Sequence, residues 1–292
     1  MYKIVQMALK YHEKDPGFKD IVSNRTKSFL YRVFGPFYVK LTLTGFKAIV
    51  DRELAGYILL KEREFSFHVW DVVVAPEWRG KGIGKRLMEY AEEWAKNNYH
   101  YASLAVLEDN TIAMGLYQKL GYENFRFSPI YFHVENFNSR SDRESDDSVA
   151  FHPVFGKEAI RCRENFYLKV LTRVIGQAKS EVVNRIYPSS TKLHKNVSYF
   201  RIMASKEEVG YLAYRTQKGV ASVSLLIDPE VWDTATEKKI ILKALENYCL
   251  EKNQLIIVVL QAYEEQLTSI FRKISCKVER ETPRLALIKE LG

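Results

Sequence analysis

Three glycines, Gly80, Gly82 and Gly84, alternate with basic and apolar residues in a pattern that can hold a phosphate. Glycine adopts left-handed backbone conformations and carries no Cβ, so successive N–H groups around it can converge on one anion. The chemistry expected of such a segment is binding of a phosphorylated ligand through the backbone. The candidate phosphate-binding segment consists of Arg79, Gly80, Lys81, Gly82, Ile83, Gly84 and Lys85.

The elements on either side of these glycines can position such a site. The β-branched run 72–74 and Pro76 predict a strand that stops just before them. The N-terminus of a following helix would add free N–H groups and the positive end of the helix dipole. Apolar residues at spacings of three and four predict that helix: Ile83, Leu87, Met88, Ala91, Trp94 and Ala95.

Two common phosphate-binding motifs do not fit this spacing. The Walker motif needs a glycine five residues before Gly84 and Ser or Thr after Lys85, but those positions hold Arg79 and Arg86. The dinucleotide motif G-x-G-x-x-G needs its third glycine at position 85, which is lysine. The sequence therefore indicates neither a P-loop nucleoside triphosphatase nor a dinucleotide-dependent enzyme.

The segment from Arg79 to Gly84 resembles the [Arg/Gln]-x-x-Gly-x-[Gly/Ala] signature of the GNAT superfamily of acyl-CoA-dependent N-acyltransferases. A second segment, from Asn110 to Tyr122, is similar to the second coenzyme A segment of the same family. In it Asn110 predicts a helix N-cap and Gly121 predicts the helix end, after a strand at 103–107. Two motifs in the family's order make the resemblance specific.

The resemblance implies acetyl-CoA as the cofactor and direct transfer of its acetyl group to an amine. It assigns the pyrophosphate to the backbone of residues 79–84, with Lys85 beside them. It assigns the pantetheine arm to the strand at Val72 and Val74, and further coenzyme contacts to Asn110 and Ala113. Tyr117 stands at the position of the family's tyrosine that protonates the departing thiolate.

A base must take a proton from the amine, and His68 is the leading candidate. It lies in the predicted strand where some family members place a carboxylate base. Its even-numbered register predicts that it shares a face with Val72 and Val74 unless a bulge intervenes. The alternatives are Asp71, Glu62 and Glu64.

Composition limits the class of protein. With 292 residues, 47% of them hydrophobic and 27% charged, the chain can bury two cores and is typical of globular proteins. No apolar run approaches the roughly 18 residues of a membrane span, and no leader pattern is seen, so a cytoplasmic location without a membrane partner is expected. The net charge of +8 includes no basic arm, and the histidines lack metal spacing, so neither nucleic acid nor metal is expected.

The order of predicted elements favours a mixed α/β class, with two GNAT-like αβα sandwich domains in tandem. Residues 1–137 form the expected catalytic domain, with a strand near 2–9, a helix at about 18–31 and strands at 47–50, 54–60 and 65–74. Residues 138–150 include a polar, serine-rich run that predicts a linker or mobile loop. Residues 151–292 form the second domain.

The second half repeats the first at an offset of about 153 residues. Gly210 matches Gly56, and the strand end with Pro229 matches the strand end with Pro76. A regular offset of this kind indicates an internal duplication.

The repeat departs from the first half where the chemistry lies. The segment 232–237 has no glycine and adds Asp233 and Glu237, and Phe271 replaces Tyr117. The second domain is therefore expected to be degenerate and not to bind coenzyme A. This plan is similar to that of tandem members of the superfamily such as the mycothiol synthase-like enzymes.

These features predict an acetyl-CoA-dependent N-acetyltransferase that acts on a small-molecule or peptide amine. The alternative is a non-catalytic acyl-CoA-binding sensor, which would not need Tyr117, or a structural tandem GNAT protein, which would not need the glycines. The sequence indicates neither the acceptor nor the oligomeric state.

Overall fold

The protein is described by a computed structural model over residues 2–11, 24–137, 148–187, 192–217, 220–249, 254–274 and 276–292. The chain folds into two compact units. The first contains Met1–Val106, Asn110–Asn124 and Ala286–Gly292, and the second contains Leu107–Asp109 and Phe125–Leu285. Among the described helices, none combines the length and the apolar character that crossing a membrane requires.

The described helices are α1 (Tyr2–Tyr11), α2 (Arg25–Thr42), α3 (Ile83–Ala95), α4 (Thr111–Lys119), α5 (Gly156–Ile175), α6 (Gln177–Ile186), α7 (Ala235–Tyr248) and α8 (Glu264–Phe271). The described strands are β1 (Thr44–Val50), β2 (Glu53–Glu62), β3 (Ser66–Val74), β4 (Tyr101–Leu107), β5 (Glu123–Asn124), β6 (Pro129–Glu135), β7 (Val149–Pro153), β8 (Ser198–Ala204), β9 (Glu207–Gln217), β10 (Val220–Ile227), β11 (Gln254–Leu260), β12 (Lys277–Arg280) and β13 (Arg284–Glu290).

The strand predicted near residues 2–9 is wrong, because these residues form α1. Ile4, Met7 and Ala8 have the spacing of three and four that places side chains on one helix face, and all three are buried in one cluster. A short apolar run of this length does not by itself distinguish a strand from a helix. The predicted helix at 18–31 lies partly outside the described residues, and α2 begins at Arg25.

The first unit is a six-stranded sheet in the order β1-β2-β3-β4-β13-β5. β1, β2 and β3 are antiparallel neighbours, and β3 runs parallel to β4. The predicted strands that lie in this sheet are confirmed from β1 to β4, with bounds that differ by a few residues. The sheet is mixed, as the alternation of strands and helices predicts.

Helices cover both faces of this sheet, and the sheet separates two apolar layers. α3 and α4 pack on one face, where the buried cluster includes Ile58, Phe67, Val69, Leu87, Met88, Leu104 and Tyr117. α1 and α2 pack on the other face, where the cluster includes Ile4, Met7, Val39, Tyr57, Leu59 and Val73. The first unit is therefore an αβα sandwich.

The second unit has the same plan around a seven-stranded sheet in the order β12-β6-β11-β10-β9-β8-β7. β10 pairs with β9 antiparallel and with β11 parallel, as β3 does with β2 and β4. α7 and α8 contribute to the larger buried cluster, and α5 contributes to a second cluster. The predicted class, two αβα sandwiches around mixed sheets, is confirmed.

The last strands of the two repeats do not stay with their own sequence halves. β6 lies between β11 and β12 in the second sheet, whereas β13, at the end of the chain, lies between β4 and β5 in the first. The compact units therefore differ from the predicted boundaries 1–137 and 151–292 at these two strands. Boundaries between separately folding domains remain a prediction, and most of the predicted linker, residues 138–147, lies outside the described residues.

Candidate active site

The glycine segment forms the turn between β3 and α3. A short 3-10 turn over Pro76–Trp78 leads into it, and Gly80 and Gly82 then adopt positive φ angles of 74° and 77°. A Cβ built at either glycine would meet no described atom within 4 Å. The turn thus depends on glycine conformation and leaves open space in front of its backbone.

Gly84 has a different role from the two glycines before it. It lies in the first turn of α3 outside the left-handed region, and a Cβ there would be 3.6 Å from both Leu116 Cδ2 and Val74 Cγ2. Those are ordinary van der Waals distances, so one methyl group fits and little more. This gives a physical reason why the signature accepts Gly or Ala at this position but only Gly at the position of Gly82.

The N-terminus of α3 is open. Gly82 is its N-cap, and no described side chain caps the helix there. The bond from the N–H of Arg86 to the carbonyl of Gly82, 3.0 Å long, closes the first turn. The N–H groups of residues 83–85 therefore have no partner within the helix, and together with the helix dipole they favour an anion.

Basic side chains surround this helix end. Arg79 Nε donates a hydrogen bond of 3.1 Å to the carbonyl of Val74, which anchors the turn to the end of β3. Lys81 Nζ lies 4.3 Å from the centroid of the Trp78 ring. Lys85 forms an exposed ion pair of 3.4 Å with Glu89, one helical turn further along α3. These three cations raise the local potential for a phosphate.

The strand that leads into the turn has a free edge. The ladder between β3 and β4 ends at the pair Val69 and Leu104, so the second half of β3 has no partner on that side among the described strands. The N–H of Ala75 bonds to β2 at 2.9 Å, and by alternation the N–H and C=O groups of Val72 and Val74 face away from β2. These backbone groups lie at the predicted pantetheine positions.

Local sequence positions Tyr117 near the C-terminal end of α4. Asn110 caps the start of that helix by accepting a 3.2 Å hydrogen bond from the N–H of Ala113, as predicted. At the other end Gly121 adopts a φ of 86°, and the N–H of Tyr122 bonds to the carbonyl of Tyr117. This is a Schellman motif, which brings the rings of Tyr117 and Tyr122 to a centroid distance of 6.0 Å.

Tyr117 is 7% exposed and keeps its proton over a wide pH range. Burial, followed by the nearby negative charge of Asp71, raises the pKa of Tyr117 to about 12. The phenol is therefore neutral near pH 7 and can donate a proton or a hydrogen bond. Asn110 and Ala113 are occupied with each other, and their predicted coenzyme contacts stay a prediction.

The predicted shared face of His68, Val72 and Val74 is wrong, because β3 contains a bulge. Leu59 pairs with Asp71 and Leu60 pairs with Val69, which leaves Trp70 as the extra residue. The extra residue reverses the alternation of side chains along the strand. Val72 therefore shares the α3 face with Phe67 and Val69, while His68 lies on the opposite face.

The environment of His68 makes it a weak base. Its Nδ1 lies 3.1 Å from Ser103 Oγ, and burial together with the charges of Arg63 and Lys61 lowers its pKa to about 4. The imidazole is neutral at physiological pH, but its affinity for a proton taken from an amine is low.

The carboxylate alternatives differ in exposure and partners. Glu62 is exposed, and hydrogen bonds from Thr44 and Tyr99 lower its pKa. Glu64 is exposed in the turn between β2 and β3. Asp71 is half-buried, accepts a 2.5 Å hydrogen bond from the Tyr57 hydroxyl, and influences Tyr117 electrostatically.

Comparison with known proteins decides the family. Residues 9–122 match the model of the Acetyltransferase (GNAT) family. An N-alpha-acetyltransferase of Saccharolobus solfataricus is 30% identical over 120 residues, which are 36% of this chain and 72% of that protein. The chain belongs to the GNAT acetyltransferase family. N-alpha-acetyltransferase 20 of Dictyostelium discoideum is 32% identical over 102 residues, 31% of this chain and 59% of that protein, so the chain spans less than two thirds of that relative.

The GNAT fold extends beyond the part that matches these relatives in sequence. The crystal structure of a GCN5-related N-acetyltransferase from Sphaerobacter thermophilus matches 85% of this chain and 80% of its own chain with a TM-score of 0.50. At 14% identity this likeness concerns the fold alone.

The second GNAT-like unit has the same backbone framework at its corresponding turn. Trp232 Nε1 donates a 3.1 Å hydrogen bond to the carbonyl of Ile227, which matches the bond from Arg79 to Val74 at the offset of the repeat. The N-terminus of the helix that follows, α7, is capped by side chains of its own segment. Thr234 accepts from the N–H of Glu237, and Glu237 Oε2 accepts from the N–H of Asp233 at 2.7 Å.

This arrangement is a variant of the capping box in which the carboxylate accepts from the N–H one residue before the N-cap Thr234, and it places a carboxylate at the N-terminus of α7. Glu237 is 1% exposed, and burial raises its pKa. Phe271, at the position that corresponds to Tyr117, is buried against Phe132 with a ring distance of 5.5 Å. The start of α7 therefore differs from the open, glycine-lined helix end of the first unit.

Two features of the site are not evident in the sequence. The Tyr57–Asp71 hydrogen bond depends on strand pairing and the bulge, and no local motif signals it. Lys289, near the end of the chain, pairs with Glu92 at 2.6 Å and lies 5.8 Å from the Tyr122 ring. It reaches the surroundings of Tyr117 because β13 is part of the first sheet.

Proposed function

We propose that the first unit transfers an acetyl group from acetyl-CoA to a primary amine, and that the second unit binds no coenzyme. The observation that carries the proposal is the open helix end of α3, which directly follows a strand with a free edge. Phosphate-binding amides and an edge for an extended amide chain are thereby adjacent, as a coenzyme A ligand requires.

The residues present fit this ligand. The pyrophosphate would be held by the N–H groups of residues 83–85 and the cations of Arg79 and Lys81, since the space before Gly80 and Gly82 is open. The amides of the pantetheine arm would pair with Val72 and Val74, in the manner of an added strand. Acetyl-CoA supplies the acetyl group as a thioester, a form that an amine can attack directly.

Tyr117 is the proposed proton donor to the leaving sulfur. Since its pKa is about 12, the phenol stays protonated at the pH where the enzyme works. Its role is to stabilise the developing thiolate by a hydrogen bond and to supply a proton to it. Phe271 cannot do this in the second unit, which is consistent with its closed helix end.

Asp71 is the proposed base, in place of His68. An alkylammonium has a pKa of about 10.4, so the neutral amine costs about 4–5 kcal/mol at pH 7. The neutral imidazole of His68 carries no charge that attracts the ammonium, whereas a carboxylate attracts it and also accepts its proton. Asp71 lies in the second half of β3, beyond the ladder with β4, and influences Tyr117 electrostatically. The hydrogen bond from Tyr57 orients its carboxylate.

The acceptor class is a proposal drawn from the relatives. Two of them are named N-alpha-acetyltransferases, so peptides with a free α-amino group are the first acceptors to test. Lysine side chains, polyamines and amino sugars follow, because the fold is compatible with all of them.

The test is an acetyl-CoA-dependent thiol-release assay with this acceptor panel, combined with calorimetric titration of acetyl-CoA. Binding and turnover with at least one amine are expected. Binding without turnover on any acceptor would favour the sensor, and no binding would refute the proposed site. Asp71→Asn should lower kcat at least about tenfold while the matched variant His68→Gln changes it less than about twofold; the reverse order would make His68 the base.

A further inference from the structure

One face of α2 is apolar and exposed over most of the helix. Six large hydrophobic side chains on it are between 46% and 67% exposed: Phe29, Leu30, Val33, Phe34, Phe37 and Leu41. At about 100° per residue they occupy one continuous side of the helix, opposite the buried Val39. We define these six residues as the α2 stripe. A continuous exposed stripe of this size marks an interaction surface.

The charged residues of α1 and α2 are all of one sign. Residues 2–11 and 24–42 contain no Asp or Glu, and the cations Lys3, Lys10, Lys27, Arg32 and Lys40 are exposed. By helical geometry Lys27 and Arg32 fall on the two opposite sides of the stripe. Much of the chain's net charge of +8 therefore belongs to this pair of helices.

A groove beside the same helices adds to this charge. It has a volume of about 670 Å³ and lies between α1, α2 and the end of β3. Among the residues that the structure describes, its lining includes the cations Lys3, Lys10 and Arg32 and one carboxylate, that of Glu77. This described lining is predominantly positive, and the groove is accessible from the surface.

We propose that α2 binds in the plane of an anionic phospholipid membrane, with the α2 stripe among the acyl chains and the flanking cations at the lipid phosphates. Phe, Leu and Val in the centre with cations at both edges are typical of helices that lie in a membrane interface. Such a helix lies on the bilayer and does not cross it, so the length required of a membrane span does not apply to it. The inference goes beyond the proposed acetyl transfer and does not depend on it.

Other occupants fit these observations less well. Two copies of the chain that met symmetrically through this face would bring the cations of α2 against each other, and α2 carries no carboxylate to compensate them. A nucleic acid would neutralise the cations but leave Leu30, Val33 and Leu41 against water. An anionic bilayer satisfies both the charge and the apolar surface.

The test is flotation of the full chain with vesicles of phosphatidylcholine alone and with about 30% phosphatidylserine. We expect at least about tenfold tighter binding to the anionic vesicles, weakened by about 0.5 M NaCl. The double variant Phe34→Ser/Phe37→Ser should lose at least about tenfold in affinity. The control is Phe155→Ser, the same type of substitution at one residue that is 76% exposed in the second unit, and it should bind like the wild type.

A second variant separates the two contributions. Lys27→Glu/Arg32→Glu should reduce the preference for anionic vesicles, since it reverses the charge on both sides of the stripe. Circular dichroism and thermal unfolding show whether each variant is folded, and the wild-type measurement stands without them. The proposal is overturned if the wild type does not prefer anionic vesicles, or if the stripe variant binds like the control. Concentration-dependent dimers or nucleic acid binding that the stripe variant abolishes, without vesicle binding, would also overturn it.

Discussion

Replacing Gly82 by alanine should weaken acetyl-CoA binding without unfolding the protein. Gly82 has a φ of 77° at the N-cap of α3, and an alanine in this left-handed region costs about 1–2 kcal/mol. In the free protein the turn can relax, because no described atom lies within 4 Å of the new Cβ. Binding must restore the glycine conformation, so the cost appears in the affinity as a loss of about 5–30-fold.

Gly84→Ala is the matched control for this variant. It adds the same methyl group two residues later, where the Cβ meets Leu116 and Val74 at 3.6 Å and the backbone is not left-handed. We expect an acetyl-CoA affinity within about twofold of the wild type, and stability equal to or slightly above it because alanine favours the helix.

Calorimetric titration of acetyl-CoA into both variants provides the measurement, with thermal unfolding as the test of folding. Equal affinities for Gly82→Ala and the wild type would show that the turn does not approach the phosphate. Equal losses for Gly82→Ala and Gly84→Ala would show that added volume, and not backbone conformation, limits binding.

Four other changes test the site and the two units. Tyr117→Phe should leave acetyl-CoA affinity unchanged and lower turnover about 10²-fold in the thiol-release assay; wild-type turnover would leave the phenol a packing role. Calorimetry should give one acetyl-CoA per chain, with none bound by Gly82→Glu, and a residual site would place coenzyme in the second unit. The wild type should lose up to about 3 kcal/mol of stability as the pH falls from 6.5 to about 4, because the unfolded imidazole of His68 binds a proton that the folded one does not. His68→Gln should remove this loss, which acid unfolding of both proteins measures. A chain that ends before Arg284–Glu290 should lose cooperative unfolding of the first unit in calorimetry, and an unchanged transition would mean that β13 is dispensable.

Features that depend on neighbouring residues are predictable from the sequence. The glycine turn, the helix that follows it and the cap of Asn110 on Ala113 each depend on contacts within a few positions. The same holds for the end of α4 at Gly121, where a positive φ closes the helix. For this reason short motifs suffice to locate the glycine turn and the helix that carries Tyr117.

Features that depend on pairing between distant strands are not predictable in this way. His68 lies on the opposite face from Val72 because Trp70 bulges against β2, and the register of a strand is decided by its partner. The helical state of residues 2–11 is ambiguous in the sequence, because a short apolar run is compatible with a strand as well as with a helix, and burial of Ile4 and Met7 against the sheet decides for the helix.

The sequence by itself determined the family, the duplication and the position of the glycine turn, because each is written in short motifs or in a regular offset. Only the tertiary structure decided the sheet to which each terminal strand belongs. β6 and β13 are the last strands of similar repeats, and a sheet selects its strand by packing and hydrogen bonding along the whole edge. That selection placed Lys289 beside Glu92 and Tyr122, a contact between residues far apart in the chain that no local pattern could indicate.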